Sequence, residues 1–202
     1  MQFRSKVHSG IEVARRRLSA LVCLCLFFGL WPAPLLAVTE WVSVRKVYDG
    51  DTLKLSDGRK VRLIGIDAPE LHPNDKLLHD VERTRHDAKT LLKMGKQSYE
   101  VLKKLVGKGP VRLEFDSTSR DKYHRVLAYV YVRMREDRFA KAVQAKSPKG
   151  KGAKEREYML NREMIRYGWA DTFRNFEYRY KEEFLALEKI AREERLGLWR
   201  NW

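Results

Sequence analysis

Two short segments, Asp49-Gly50-Asp51-Thr52 and Arg62-Leu63-Ile64-Gly65-Ile66-Asp67-Ala68-Pro69-Glu70, carry the residue types that phosphodiester chemistry needs. A pair of their carboxylates offers hard oxygens of the kind that hold Ca²⁺. A third carboxylate can act as a base on water, and the planar guanidinium of Arg62 can grip a phosphate through two parallel hydrogen bonds. Alone, Asp-Gly-Asp and Asp-Ala-Pro would be turn formers and nothing more. Their association with Glu70 and Arg62 is what points to a site, and its parts are those of a phosphodiesterase.

A β-hairpin must bring these residues together. Asp57-Gly58 is a turn signal between two runs, Thr52 to Leu55 and Lys60 to Ile66, that alternate apolar with polar. A two-residue loop would pair Leu53 with Arg62 and split the apolar residues between two faces. One extra loop residue, a type I turn with Gly58 left-handed as a bulge, puts Leu53, Leu55, Val61 and Leu63 on one face. In that register Asp51 and Asp67 continue the inward face at neighbouring strand ends, and Arg62 has to reach the site from the side.

The rest of the chain supplies a scaffold for that hairpin. Val42 to Tyr48 reads as a first strand, Val111 to Phe115 as a fourth and Val126 to Val132 as a fifth. Val81 to Val106 is helical in places, with Gly95 a weak point and Gly107 a stop. Met159 to Tyr167, ending at Gly168, and Tyr178 to Arg195, with the stripe Phe184, Leu187 and Ala191, are further helices. Residues 135–157 are rich in charge and contain Ser147-Pro148-Lys149-Gly150-Lys151-Gly152, which predicts a mobile basic loop.

The motif set resembles the staphylococcal (micrococcal) nuclease family, the thermonucleases. It comprises Asp49 to Thr52, Arg62 to Glu70, Arg120-Asp121-Lys122-Tyr123-His124-Arg125 with Leu127-Ala128-Tyr129, and Leu196-Gly197-Leu198-Trp199. The resemblance spans nearly all of the chain after Val42, in order. It implies an α+β fold, a five-stranded OB-type barrel with about three helices. It further implies Ca²⁺ on Asp51, Asp67 and the backbone carbonyl of Ala68, Glu70 as general base, and Arg62 and Arg125 as phosphate-binding, charge-stabilising arginines. The implied activity is cleavage of DNA and RNA that leaves 3′-phosphates. Lys122 and Tyr123 are candidate substrate contacts, Lys122 for a phosphate and Tyr123 for stacking on a base, whereas Tyr129 and Tyr131 share a strand's alternation and read as structural. Two departures stand out. His124 occupies a place where the family usually has glycine, and after Gly168 Phe173 and Phe176 stand near Arg174 where the best-known member carries tyrosines.

Composition agrees with a polyanionic partner. The formal net charge is +15 and the isoelectric point is near 9.9, so nucleic acid would be attracted at moderate salt. Some of that charge belongs to residues 1–37, where Arg15-Arg16-Arg17 precedes the apolar run Leu18 to Leu30 and then Leu35-Leu36-Ala37. This pattern predicts a secretory signal cleaved after Ala37, hence a secreted or periplasmic protein, with an uncleaved membrane anchor as the alternative. Cys23 and Cys25 both lie in that leader, so residues 38–202, read as one barrel domain, carry no thiol. His72, His79 and His86 do not make a compact zinc pattern, and Gly150-Lys151 lacks the rest of a phosphate-binding loop. Two competing readings are a nuclease-like domain that binds nucleic acid without cutting it and a basic membrane or polysaccharide binder. The second needs no carboxylates, and the first would be expected to lack some of the acidic and arginine positions. No partner protein is called for, and a monomer is expected.

Overall fold

The hairpin forms as its alternation requires. In the computed structural model, which describes residues 41–146 and 153–201, strands β2 (Thr52–Leu55) and β3 (Lys60–Leu63) are antiparallel, with Leu53 opposite Val61 and Thr52 opposite Arg62. The connection is the three-residue bulged loop. Gly58 has φ 91°, and Leu55 N donates to Arg59 O at 2.9 Å. Leu53, Leu55, Val61 and Leu63 are all buried on one face.

That face belongs to a closed barrel. The strands run in the order β3, β2, β1 (Trp41–Val47), β5 (Pro110–Glu114) and β6 (Val126–Arg135). A parallel pairing of β3 with β6, Arg62 opposite Leu127, closes the ring. A bulge between Val44 and Lys46 bends β1 so that its first half pairs with β5 and its second with β2. Closure leaves no free edge within the ring. Buried Asn161 locks the seam: its Oδ1 accepts from Val130 N at 2.9 Å, and its Nδ2 donates to Ile64 O at 2.8 Å and Ala128 O at 3.2 Å. This is the five-stranded OB-type barrel of an α+β fold.

The described residues hold five α-helices rather than the expected three: α1 (Asp75–Thr84), α2 (Ala88–Val106), α3 (Glu136–Val143), α4 (Leu160–Arg166) and α5 (Lys181–Glu193). In place of one loop over 135–157, β6 runs on to Arg135 and is followed by α3 and by β7 (Glu155–Met159), which pairs with β6 outside the ring. The charge that suggested a loop lies on the outer side of α3, whose Phe139, Ala140, Ala142 and Val143 are buried. Phe139 stacks on Tyr158 of β7 with ring centroids 3.8 Å apart. The Ser147 to Gly152 segment and the expected leader lie outside the described residues. No helix among the described residues is long and apolar enough to cross a membrane.

Candidate active site

Both acidic segments are fixed by backbone geometry at one end of the barrel. At the first, Tyr48 N donates to Thr52 O and Leu63 N to Asp51 O. Asp49 Oδ1 accepts from Asp51 N at 3.0 Å. At the second, Gly65 takes φ 79° and turns the chain into β4 (Ile66–Asp67), which pairs with β8 (Asp171–Thr172). A side chain at Gly65 would also strike the ring of Tyr178 at 2.5 Å. Asp51 Oδ2 accepts from Ala68 N at 2.8 Å, which ties the two segments directly. Helix α2 braces them from behind. A Cβ on Gly50 would meet Ser98 Oγ at 2.1 Å, and that hydroxyl is held by Trp169 O.

Arg62 crosses from β3 to lie between the two aspartates. Its Nη2 donates to Asp67 Oδ1 at 3.0 Å. Its Nη1 sits 2.5 Å from Asp51 Oδ2 but too obliquely for a hydrogen bond, which leaves that buried N–H group without a hydrogen-bond partner among the described residues. Glu70 points at the same cluster from the far end of the segment. Its Oε2 accepts from Asn74 Nδ2 at 2.7 Å and its Oε1 lies 3.1 Å from Lys76 Nζ. Burial, reinforced by the charge of Asp51, pushes Asp49 up to about 7. Burial also raises Asp67 against the opposing charges of Lys76 and Arg62. Asp171, opposite Asp67 in the β4–β8 pair, is likewise pushed up to about 7 by burial and by Glu188. The site thus concentrates more negative charge than its desolvated setting favours.

The second arginine comes from the turn before β6. Asp121 organises that turn: its Oδ1 accepts from the backbone N–H groups of Tyr123 and Arg125, and its Oδ2 from Arg125 Nε at 2.6 Å. The turn requires a left-handed residue, and His124 takes φ 61°. That conformation gives the family's glycine its physical reason. Arg125 and Arg62 line one groove of about 440 Å³, together with Lys122, Tyr123, Phe173 and Phe176. Tyr123 is 66% exposed, with Lys122 and Arg125 near its ring face. Tyr129 and Tyr131 are instead structural, their hydroxyls held by Asp116 and Glu114. A second groove, of about 410 Å³, is lined by Glu70 and contains Tyr48 with Lys46 and Lys60 against its ring.

The residues suit a hard divalent cation by donor chemistry, since Asp51, Asp67 and the Ala68 carbonyl present only oxygens. Those of Asp67 and Ala68 already converge on a positive charge, Lys76 Nζ, at 3.5 and 3.2 Å. Among the described residues no group of three or more His, Cys, Asp or Glu side chains forms a metal cluster. The remaining ligands would have to be water and phosphate.

A family model described as Staphylococcal nuclease homologue matches residues 60–201. The chain belongs to that family. The match contains Arg62, Asp67, Ala68, Glu70, Lys122, Tyr123 and Arg125, while Asp51 precedes it. The chain is 28% identical to a thermonuclease of Staphylococcus hyicus over 78% of its own length and 75% of the relative's. It is 27% identical to an uncharacterized endonuclease of Escherichia coli, over 87% and 86% of the two chains. It is 32% identical to an uncharacterized protein, MJ1439, of Methanocaldococcus jannaschii, over 79% and 70%.

The structure brings Asp51, Arg62, Asp67, Ala68 and Glu70 into one cluster and sets Arg125, Lys122 and Tyr123 along a groove that shares Arg62 with it. The site also draws on Asn74 and Lys76, which carry no motif of their own in the sequence. Asn74 and Lys76 had a local signal, since Asn74 starts an amphipathic helix as an N-cap.

Proposed function

We propose that this nuclease hydrolyses DNA or RNA in a Ca²⁺-dependent reaction, with little sequence preference, and leaves 3′-phosphates. The observation that carries this reading is the convergence of Asp51, Asp67, Ala68 O and Glu70 with Arg62, which also lines the groove that holds Arg125. Ca²⁺ held by Asp51, Asp67 and the Ala68 carbonyl would act as a Lewis acid on a phosphate oxygen. Glu70 accepts a proton from the attacking water. The bond between phosphorus and the 5′ oxygen breaks, a bond from phosphorus to the water oxygen forms, and the 5′ oxygen leaves as a hydroxyl after taking up a proton. Arg62 and Arg125 donate to the phosphate oxygens as their charge grows, where such donors add most to the rate.

Weak sequence preference follows from the groove's character. Phe173, Phe176 and Tyr123 offer ring faces on which any base can stack, and the arginines address the backbone rather than base edges. The leader supports a secreted or periplasmic location, which N-terminal sequencing of the exported protein would test.

The deciding experiment incubates the protein with single-stranded DNA in Ca²⁺ and in chelator, beside Glu70→Gln. Cleavage should need Ca²⁺, and Glu70→Gln should slow it by about a hundredfold or more while DNA affinity is retained. Full cleavage in chelator would remove Ca²⁺ from the reading. A Glu70→Gln enzyme as fast as the parent would remove the base.

A further inference from the structure

Lys76 is the least expected member of the site. It stands in the first turn of α1, and its ammonium reaches four oxygens at once: Glu70 Oε1 at 3.1 Å, Ala68 O at 3.2 Å, Asp80 Oδ2 at 3.2 Å and Asp67 Oδ2 at 3.5 Å. Three of these belong to groups that the reading above assigns to the cation or to the attacking water. The fourth, Asp80, does not, and lies one helical turn further along α1.

We infer that the Lys76 ammonium is the site's resident counter-cation: it occupies the oxygens of Asp67, Ala68 and Glu70 in the metal-free protein and gives them up when a divalent cation binds. The inference rests on the proposed role of those oxygens as cation ligands. Arg62 balances Asp51 and Asp67 from the barrel side. Without Lys76, Glu70 and the outer oxygen of Asp67 would face each other with no positive charge between them. Calcium–oxygen bonds span about 2.3–2.6 Å, so a cation on these oxygens and the ammonium cannot share them, and like charges so close repel strongly. Binding is therefore an exchange.

The fold supplies a place for the displaced group. Lys76 and Asp80 are an i,i+4 pair, and Asp80 is buried and fixed by Arg83, whose Nη2 donates to Asp80 Oδ1 at 3.0 Å. A lysine on its four-carbon stem can withdraw to Asp80 without moving the helix. Asn74, the N-cap of α1, donates to the other oxygen of Glu70. Withdrawal of Lys76 would then free one Glu70 oxygen for water while Asn74 keeps the carboxylate aimed. In this role Lys76 is a positioning residue that sets the cation requirement and holds the base idle until the cation arrives.

Calorimetric titration of Ca²⁺ into the protein, with no nucleic acid present, tests the exchange. Lys76→Met should bind Ca²⁺ about tenfold more tightly than the parent, because no ammonium has to be displaced. In chelator Lys76→Met should melt below the parent, and Ca²⁺ should raise its melting temperature by more. Lys76→Arg, which keeps the charge, should stay close to the parent in both measurements. Lys76→Gln, more easily accommodated if the methionine variant folds poorly, should follow Lys76→Met. Equal or weaker Ca²⁺ binding by the uncharged variants would overturn the inference while leaving the Ca²⁺ assignment intact. A parent protein that binds no Ca²⁺ would overturn both, and cleavage assays would still judge the nuclease reading separately.

Discussion

Gly95, in the middle of α2, lies so close under the backbone of Glu70 that a Cβ there would stand 2.0 Å from the Glu70 carbonyl oxygen. The helix thus serves as the floor on which the proposed base is set. The contact is with main chain, which cannot rotate away as a flexible side chain could.

Gly95→Ala should therefore reverse the usual sign. Alanine ordinarily favours a helix interior over glycine by about 1 kcal/mol, but here the added methyl must push α2 and the Glu70 segment apart. Loss of about 1–3 kcal/mol in stability is expected, on the scale of other overpacked sites. A turnover loss of about a hundredfold is expected from a misplaced base. Urea unfolding and kcat on single-stranded DNA check both. An alanine variant that is more stable and as fast as the parent would show that Gly95 has no such role.

That contact also marks where the sequence stops being legible. The hairpin register could be read because one misplaced residue would turn Leu53 and Leu55 away from Val61 and Leu63. The acidic and arginine residues could be read because they lie in short contiguous motifs. Gly95 could be read only as a weak point in a helix, since Glu70 lies twenty-five positions earlier in the chain. Helix α3 was obscured for another reason: the charges of residues 135–157 outnumber the apolar positions that bury it, and its stacking partner Tyr158 lies beyond the basic segment. His124 could be noticed as a departure, but the cause, a positive φ, belongs to the backbone.

Arg62 spans Asp51 and Asp67 with its two terminal nitrogens. Lysine has one terminal nitrogen and cannot bridge them, so Arg62→Lys should lower kcat by about a hundredfold although charge is preserved. Arg125→Lys should also be slow, because the Nε that anchors this side chain to Asp121 has no counterpart in lysine. Single-turnover cleavage measures both, and near-parent rates would deny the arginines their role on the phosphate.

His124→Gly should be a gain. Relief of a left-handed non-glycine residue is worth about 1 kcal/mol, and the turn that holds Arg125 keeps its hydrogen bonds to Asp121. Stability should rise and cleavage should be unchanged or faster. A steep fall in cleavage with a raised melting temperature would show instead that the imidazole itself serves the substrate.

Glu188 carries the clearest pH dependence. It is buried beneath β8, where Oε2 accepts from Thr172 N at 3.0 Å and from Arg174 Nη2 at 2.9 Å, and Oε1 from Arg192 Nε at 2.7 Å. Burial alone would raise this carboxyl, but the hydrogen bonds from Arg174, Thr172 and Arg192 outweigh it and hold it below the usual range. A depressed folded value means stability that is fully present above the unfolded value of about 4.3 and is lost as pH falls through the lower, folded value. Glu188→Gln removes the buried anion from two half-exposed arginines and should cost about 2 kcal/mol at neutral pH, the scale of lost hydrogen bonds to a charged group. The gap from the parent should narrow as pH falls below the unfolded value, where the unfolded chain's carboxyl takes up a proton before the folded one does. Thr172 is paired with Ile66, so the variant should also loosen the strand that carries Asp67. Urea midpoints for both proteins at neutral pH and near pH 3.5 decide the matter: a gap that stays constant or widens in acid would show that Glu188 is not the ionised anchor of β8.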